Sequence, residues 1–63
     1  MSIHIYKGHV IEITTLERCS ETQYAGDVYH NGDLVNSQVD ITDAGVLSMC
    51  IYYIDNLGDD KDE

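Results

Sequence analysis

The dipeptide Asn31-Gly32 restricts the fold of this 63-residue chain more than any other feature. It lies between two segments rich in β-branched and aromatic residues, and both of its residues tolerate the positive φ angles of a type I′ turn. The sequence therefore predicts a β-hairpin closed by a two-residue turn. In that register the predicted pairs are His30 with Asp33, Tyr29 with Leu34, Val28 with Val35, Asp27 with Asn36, Gly26 with Ser37, and Tyr24 with Val39.

This register predicts one apolar and one polar face for the hairpin, because side chains alternate along a strand. The apolar face would hold Tyr24, Val28, Val35, Val39 and Ile41. The polar face would hold Asp27, Asn36, Gln38 and Asp40. The hairpin is therefore expected to need a cover on its apolar face only.

The N-terminal segment alternates as well, with isoleucines of one phase at Ile3, Ile5, Ile11 and Ile13. A two-residue turn at Lys7-Gly8 would pair Ile3 with Glu12 and place that carboxylate on the isoleucine face. A continuous strand and a three-residue loop at residues 7–9 both keep the isoleucines together and both point Glu12 away from the core. We expect one of these two arrangements, and the pattern does not distinguish them.

A helix is predicted after the hairpin, because apolar residues recur at helical spacing: Val46, Leu47, Met49, Cys50, Ile51, Tyr53, Ile54 and Leu57. Thr42 or Asp43 can cap its first turn, and Gly58 is placed to end it. The apolar positions cover an arc of roughly 200°, which is wider than one sheet face needs. One flank of the helix is therefore expected to remain partly exposed.

Together these elements predict an α+β fold, in which an antiparallel sheet of three strands, or of four, carries one C-terminal helix on one face. Residues 1–57 are predicted to form a single β-β-β-α domain, and residues 58–63 an acidic C-terminal tail. The polar segment from Leu16 to Glu21 is predicted to be a connection between strands.

No arrangement of residues in the sequence suits catalysis or metal binding. His4, His9 and His30 fit no metal-ligand spacing, and the acidic tail lacks the frame of a calcium loop. Cys19 is expected in a polar loop and Cys50 in the core, both unpaired, as in a reducing intracellular environment. A domain of this size has little volume for a cleft that perturbs carboxyl pKa values. We therefore expect no enzymatic activity, no metal and no cofactor.

The charge balance is extreme, since 12 Asp and Glu residues face three Lys and Arg residues and the formal charge is −9. Such a field repels nucleic acid and anionic membranes and steers a protein toward basic surfaces. The predicted partner-binding residues on the sheet face away from the helix are Glu12, Asp27, Asp40, Tyr6 and Tyr29. Further predicted partner-binding residues are Glu17 and Glu21 in the preceding loop and Asp33 at the hairpin tip.

The small size, the charge of −9 and the strand–Asn31-Gly32–strand–helix layout resemble phage-encoded anti-CRISPR proteins that inhibit type I systems. Several proteins of that kind act as DNA mimics. The resemblance covers the whole chain at the level of this profile and carries over no individual residue. It implies that the chain binds the crRNA-guided surveillance complex in the cytoplasm of a bacterial host and blocks the binding of target DNA.

Two functional hypotheses follow. The leading one is an acidic inhibitor that fills a basic nucleic-acid-binding groove as a DNA mimic, because Arg and Lys pair with carboxylates as well as with phosphates. The alternative is a protein–protein interaction or regulatory module that uses the apolar helix arc. Acidic side chains that converge on one face would favour the first, and scattered acids beside a bare helix arc would favour the second. In the second case the helix arc would serve to dimerise or to dock on a partner. We expect a monomer rather than a dimer, and no direct binding of nucleic acid or membrane.

Overall fold

The computed structural model of the chain describes residues 1–18 and 20–60. Four antiparallel strands form one sheet in the order β1-β2-β3-β4, and a single helix follows them. The elements are β1 (Ser2–Tyr6), β2 (His9–Arg18), β3 (Glu21–His30), β4 (Asp33–Asp40) and α1 (Asp43–Asp60). The predicted α+β class is confirmed, with four strands in the sheet.

The two faces of the sheet differ because the helix covers only one of them. The helix face carries the buried side chains of Ile11, Ile13 and Val28. The opposite face, here called the outer face, follows from the strand registers and holds Ile3, Ile5, Val10, Glu12, Asp27, Tyr29, Leu34, Ser37 and Val39.

The turn between β1 and β2 consists of Lys7 and Gly8, with φ angles of 49° and 79°. Tyr6 pairs with His9, and Ile3 pairs with Glu12. The expected continuous strand and three-residue loop are therefore both wrong. Glu12 does point away from the core, but Ile3 and its neighbour Ile5 point to the same outer face.

A contact with the helix accompanies this register. The Tyr6 hydroxyl donates a hydrogen bond to Asp55 Oδ1 at 2.9 Å, and Lys7 Nζ donates to the same oxygen at 2.8 Å. Tyr6 reaches Asp55 only when it lies on the helix face, which the two-residue turn brings about. A two-residue turn also matches the right-handed twist of the strands. The same register leaves two isoleucines exposed on the outer face.

The hairpin formed by β2 and β3 is longer than predicted. Leu16 pairs with Gln23, and Arg18 pairs with Glu21. The predicted connection from Leu16 to Glu21 is therefore wrong at both of its ends. These residues can extend the strands because antiparallel pairing satisfies their backbone hydrogen bonds. Cys19, which was expected in this loop, lies outside the described residues.

The turn between β3 and β4 is the predicted one, with φ angles of 57° at Asn31 and 86° at Gly32. The first two predicted pairs of this hairpin are confirmed. A β-bulge follows, so Val28 pairs with Asn36 and Val35 is the extra residue. Every predicted pair from Val28 to Tyr24 is therefore displaced by one position on β4.

The bulge reverses the two faces of β4, since a shift of one residue turns each side chain to the other side. Val39 is 52% exposed on the outer face, and the predicted apolar face of β4 is wrong. The structure shows what the bulge permits on the helix side. The Tyr53 hydroxyl donates to the Val35 carbonyl oxygen at 3.3 Å. The Asp40 carboxylate lies against Gly45 in the first helical turn, where a negative charge is favourable.

The core is a single small layer between the helix and the two central strands. Its buried residues are Ile11, Ile13, Val28, Val46, Cys50 and Ile54. The three helical members lie four residues apart and form one stripe. On the flanks, Ile51 packs against this core, whereas Met49 is 38% exposed. One flank of the helix is therefore more open than the other, as expected.

Both predicted helix ends can be compared with the structure. Thr42 Oγ1 accepts a hydrogen bond from the Gly45 backbone N–H at 3.0 Å, which confirms Thr42 as the capping residue. The helix continues through Gly58 to Asp60, so this glycine does not end it. Residues 61–63 of the predicted acidic tail lie outside the described residues.

Gly26 sets how closely the helix approaches the sheet. A Cβ atom at this position would lie 2.8 Å from Cys50 Sγ and 3.0 Å from Val46 Cγ2. Both distances are shorter than ordinary van der Waals contact, so the helix rests almost directly on the backbone of β3.

We expect Gly26→Ala to lower the free energy of unfolding by about 1–3 kcal/mol, because the added methyl group must push the helix away. Urea unfolding of the purified protein measures this change. The matched comparison is Gly26→Ala combined with Cys50→Ala, which removes the nearest atom. The double variant should lose less stability than the sum of the two single variants. Additive losses would show that the close approach is not the constraint.

The contact at Asp55 also gives the fold a pH dependence. Hydrogen bonds from Lys7 and then from Tyr6 lower the pKa of Asp55. The hydrogen bond to Asp55 raises the pKa of Tyr6. The folded-state pKa of Asp55 is below its unfolded-state pKa. At pH values between these two pKa values the unfolded state binds more protons, so the free energy of unfolding rises with pH in that range.

Asp55→Asn should therefore reduce the acid sensitivity of the fold. The stabilisation by Asp55 is complete above its unfolded pKa of about 3.9 and is lost as the pH falls through the folded-state pKa. Urea unfolding at a series of acidic pH values measures the slope. The control is Glu17→Gln, which changes an exposed carboxylate at the other end of the sheet. It should retain the part of the wild-type slope that arises from the Asp55 contact. An equal slope in Asp55→Asn would contradict the expectation.

Candidate functional site

The outer face is the side of the sheet that the helix leaves uncovered. Its large exposed apolar side chains come from β1, β2 and β4, and their exposed fractions are 59% for Ile3, 77% for Ile5, 37% for Val10, 57% for Leu34 and 52% for Val39. Single exposed apolar residues are common on soluble proteins, but a contiguous group of them marks an interaction surface. The outer face is therefore the candidate binding surface.

Two carboxylates lie in the middle of this apolar surface. Glu12 and Asp27 are direct partners across β2 and β3, and both are half-buried. Side chains at directly opposed positions have their Cβ atoms roughly 4.5–5.5 Å apart, and like charges there are unfavourable. The Ser37 hydroxyl donates to Asp27 Oδ1 at 2.8 Å, which holds that carboxylate in place. The ion pair between Lys7 and Asp55 lies on the other side of the sheet.

This arrangement can bind a cation. Two adjacent carboxylates attract a guanidinium or ammonium group, because a positive charge between them removes their mutual repulsion. The flanking apolar side chains would exclude water from such a contact and strengthen it. The outer face is open rather than concave, so it suits a macromolecular surface better than a small substrate.

The predicted site residues are divided between the two sides of the molecule. The structure brings Glu12, Asp27 and Tyr29 together on the outer face, as predicted. It places Asp40 and Tyr6 on the helix side, so their predicted position on the other face is wrong. The reasons are the bulge in β4 for Asp40 and the two-residue turn for Tyr6.

The remaining predicted site residues are exposed but do not join this group. Glu17 and Glu21 lie on β2 and β3 rather than in a loop, at the end of the hairpin that is far from the helix. Asp33 begins β4 beside the turn. The acidic side chains of the described residues therefore do not converge on one face.

Sequence reasoning missed the apolar part of the candidate surface. The signal for Ile3 and Ile5 was present, because Lys7-Gly8 suits a two-residue turn as Asn31-Gly32 does. The position of Val39 depends on the bulge at Val35, for which the sequence has no marker such as a glycine.

A concave surface lies between β4 and the exposed flank of the helix. It encloses about 520 Å³ and is lined by Gln38, Ser48, Met49, Tyr52 and Tyr53. Tyr52 is 72% exposed. This groove, the β4–helix groove, is the part of the predicted helix arc that the sheet leaves open.

His9 and His30 contact each other, and Cys50 is buried. The His9 and His30 rings stack with their centroids 4.4 Å apart, and His9 Nδ1 lies 2.9 Å from the Lys7 carbonyl oxygen. Within residues 1–18 and 20–60, no three His, Cys, Asp or Glu side chains are grouped so that they could hold a metal ion. Burial, and to a smaller extent the charge of Asp27, raises the pKa of the Cys50 thiol, which keeps it protonated.

Two wider observations complete the description of the site. In the described part of the chain, no helix has the length and apolar character needed to cross a membrane. Comparisons with protein-family models, with curated proteins and with solved structures found no match to this chain. What the chain binds is therefore inferred from its own side chains.

Proposed function

We propose that this protein is a non-enzymatic inhibitor that binds a basic protein surface through its outer face. The observation that carries the proposal is the Glu12–Asp27 pair, two half-buried carboxylates directly opposite each other in a field of exposed apolar side chains. Such a pair is unfavourable in the free protein and becomes favourable when a cation of the partner lies between the two groups.

The chemistry of the surface suits arginine in particular. A guanidinium group can donate several hydrogen bonds in one plane and can engage both carboxylates at once. Ser37 holds Asp27 in place through its hydrogen bond at 2.8 Å, so less ordering is needed on binding. Tyr29 and the exposed aliphatic side chains supply the water-excluding surroundings that make central polar contacts strong.

The net charge supports a partner whose surface normally binds nucleic acid. A formal charge of −9 on 63 residues steers the protein toward a strongly basic groove. In the proposal the protein acts there as a DNA mimic, of the anti-CRISPR kind, and prevents a type I crRNA-guided surveillance complex from binding its target DNA in the bacterial cytoplasm. The acids among the described residues do not converge on one face, and that scatter is the arrangement expected of the apolar interaction module. The DNA-mimic function is therefore proposed on the Glu12–Asp27 pair and the net charge alone, with the apolar side chains contributing the rest of the contact.

A competition assay tests the proposal. Purified type I surveillance complex binds a fluorescent target duplex, and the protein should displace that duplex. For the variant Glu12→Gln/Asp27→Asn, the protein concentration that gives the same displacement should be at least about tenfold higher than for the wild type. The reason is that truncating buried charge pairs costs at least about 1.4 kcal/mol of binding free energy. Fluorescence anisotropy measures the displacement.

The matched control removes two charges elsewhere. Glu17→Gln/Asp33→Asn leaves the same net charge as the test variant and should displace the duplex almost as well as the wild type. Equal losses in the two variants would mean that net charge alone drives binding and that the outer face is not the site. A wild-type protein that leaves the duplex bound would contradict the DNA-mimic function.

The β4–helix groove favours a second candidate function, a regulatory module that docks a partner through apolar contacts. Its volume of about 520 Å³ and the exposure of Met49 and Tyr52 support this alternative. Met49→Lys would abolish partner binding if the groove is the interface and would leave it unchanged if the outer face is. Raised salt also separates the two, because it weakens binding by carboxylates and leaves apolar docking nearly unchanged.

A further inference from the structure

The strand β1 differs from the rest of the sheet in carrying no charge. It consists of Ser2–Tyr6 and lies at one edge of the sheet. Each of the other strands carries two acidic residues: Glu12 and Glu17 on β2, Glu21 and Asp27 on β3, and Asp33 and Asp40 on β4. The edge at β1 is therefore the part of the sheet where another acidic molecule meets the least repulsion.

The other edge strand, β4, has features that prevent pairing with a further strand, and β1 lacks those features. Charged residues and bulges are common protections of an edge strand. The strand β4 begins and ends with Asp33 and Asp40 and is interrupted by the bulge at Val35. The Val35 carbonyl oxygen also accepts a hydrogen bond from the Tyr53 hydroxyl. The pairing of β1 with β2 is regular from Ser2 to Tyr6.

The register determines which backbone groups of β1 are free. In a two-residue turn the flanking residues, here Tyr6 and His9, exchange hydrogen bonds, and the pattern alternates along the strand. His4 then also bonds to β2, whereas Ile3 and Ile5 direct their N–H and C=O groups to the outside. The free edge thus presents two donors and two acceptors at a spacing that a second antiparallel strand can match.

We propose that β1 is a self-association edge, at which two copies of this chain pair their β1 strands antiparallel about a two-fold axis at His4. Ile3 of each copy then lies opposite Ile5 of the partner subunit. The two-fold axis gives two such pairs, and the backbones of each pair exchange hydrogen bonds. Their side chains share the outer face, so four isoleucines pack across the junction. The two sheets become one sheet of eight strands, and the two outer faces become one continuous surface.

Electrostatics determines how strong this association is. Within the sheet, the acidic residue nearest to the edge is Glu12, one strand away from β1. On the helix side, Asp55 binds Tyr6 but is paired with Lys7. Asp43 borders Ser2 and His4 on that side and adds repulsion that salt must screen. Glu12 of the two copies would be separated by three inter-strand spacings, or roughly 14 Å. This distance exceeds the screening length of about 8 Å at physiological ionic strength, and the screening length falls to about 3 Å at 1 M salt. The interface is small, so the pairing is weak, and it strengthens as salt is added.

Sedimentation equilibrium of the full chain tests the proposal over protein concentrations from about 10 μM to about 1 mM, the range of weak association. At 1 M salt the weight-average mass should rise toward twice the monomer mass, and at low salt it should rise less. Ile3→Lys and Ile5→Lys should hold the mass at the monomer value. These side chains are 59% and 77% exposed, so the variants should retain the wild-type circular dichroism and thermal transition.

The control is Val39→Lys, which adds the same charge to the outer face beside the other edge. It should dimerise as the wild type does. A dimer that is lost in Val39→Lys but kept in Ile3→Lys would place the interface elsewhere on the outer face and overturn the proposal. A wild-type chain that stays monomeric at 1 mM and 1 M salt would overturn it as well.

Amide hydrogen exchange identifies the edge directly. With rising protein concentration, exchange should slow at the amides of Ile3 and Ile5 and remain unchanged at Leu34. Slowing that occurs only when a different, basic protein is added would assign the edge to a strand of that protein and not to a second copy. The proposal does not depend on the proposed function, since self-association strengthens with salt while binding through carboxylates weakens.

Discussion

The close contact of the helix with Gly26 is the constraint on which the rest of the structure depends. With a hydrogen atom in place of a side chain, Val46 and Cys50 reach the backbone of β3, and the core needs only six buried residues. A domain of this length buries a smaller share of its surface than larger domains do, so each core contact matters more. One helix covers one face of the sheet, and the outer face is open for that reason.

The acidic residues are divided between stabilising the fold and remaining available to a partner. Asp40 lies at the first turn of the helix, and Asp55 binds the turn between β1 and β2. The local environment at both sites favours a negative charge. Glu12 and Asp27 are directly opposed to each other across β2 and β3. A function based on negative charge is therefore best sought at this pair, and net charge alone does not identify it.

Local chemistry made part of the fold predictable. The turn at Asn31-Gly32, the cap at Thr42 and the buried helical stripe were all found, because each depends on residues close in sequence. The predicted face of Val39 was wrong, because the bulge in β4 has no local mark in the sequence. The first hairpin was wrong because the isoleucines do not share one face in the register that forms, a register accompanied by a contact with Asp55, far along the chain.

By itself, the sequence determined the α+β class, the central turn, the helix and the excess of negative charge, because propensity, periodicity and composition act over a few residues or need no structure at all. Only the tertiary structure decided which side chains share a face. A shift of one residue in register turns a whole strand over, and the helix contacts made by Tyr6 and Tyr53 accompany the two registers that the sequence did not predict. The outer face consists of side chains from all four strands, so its composition follows from those registers.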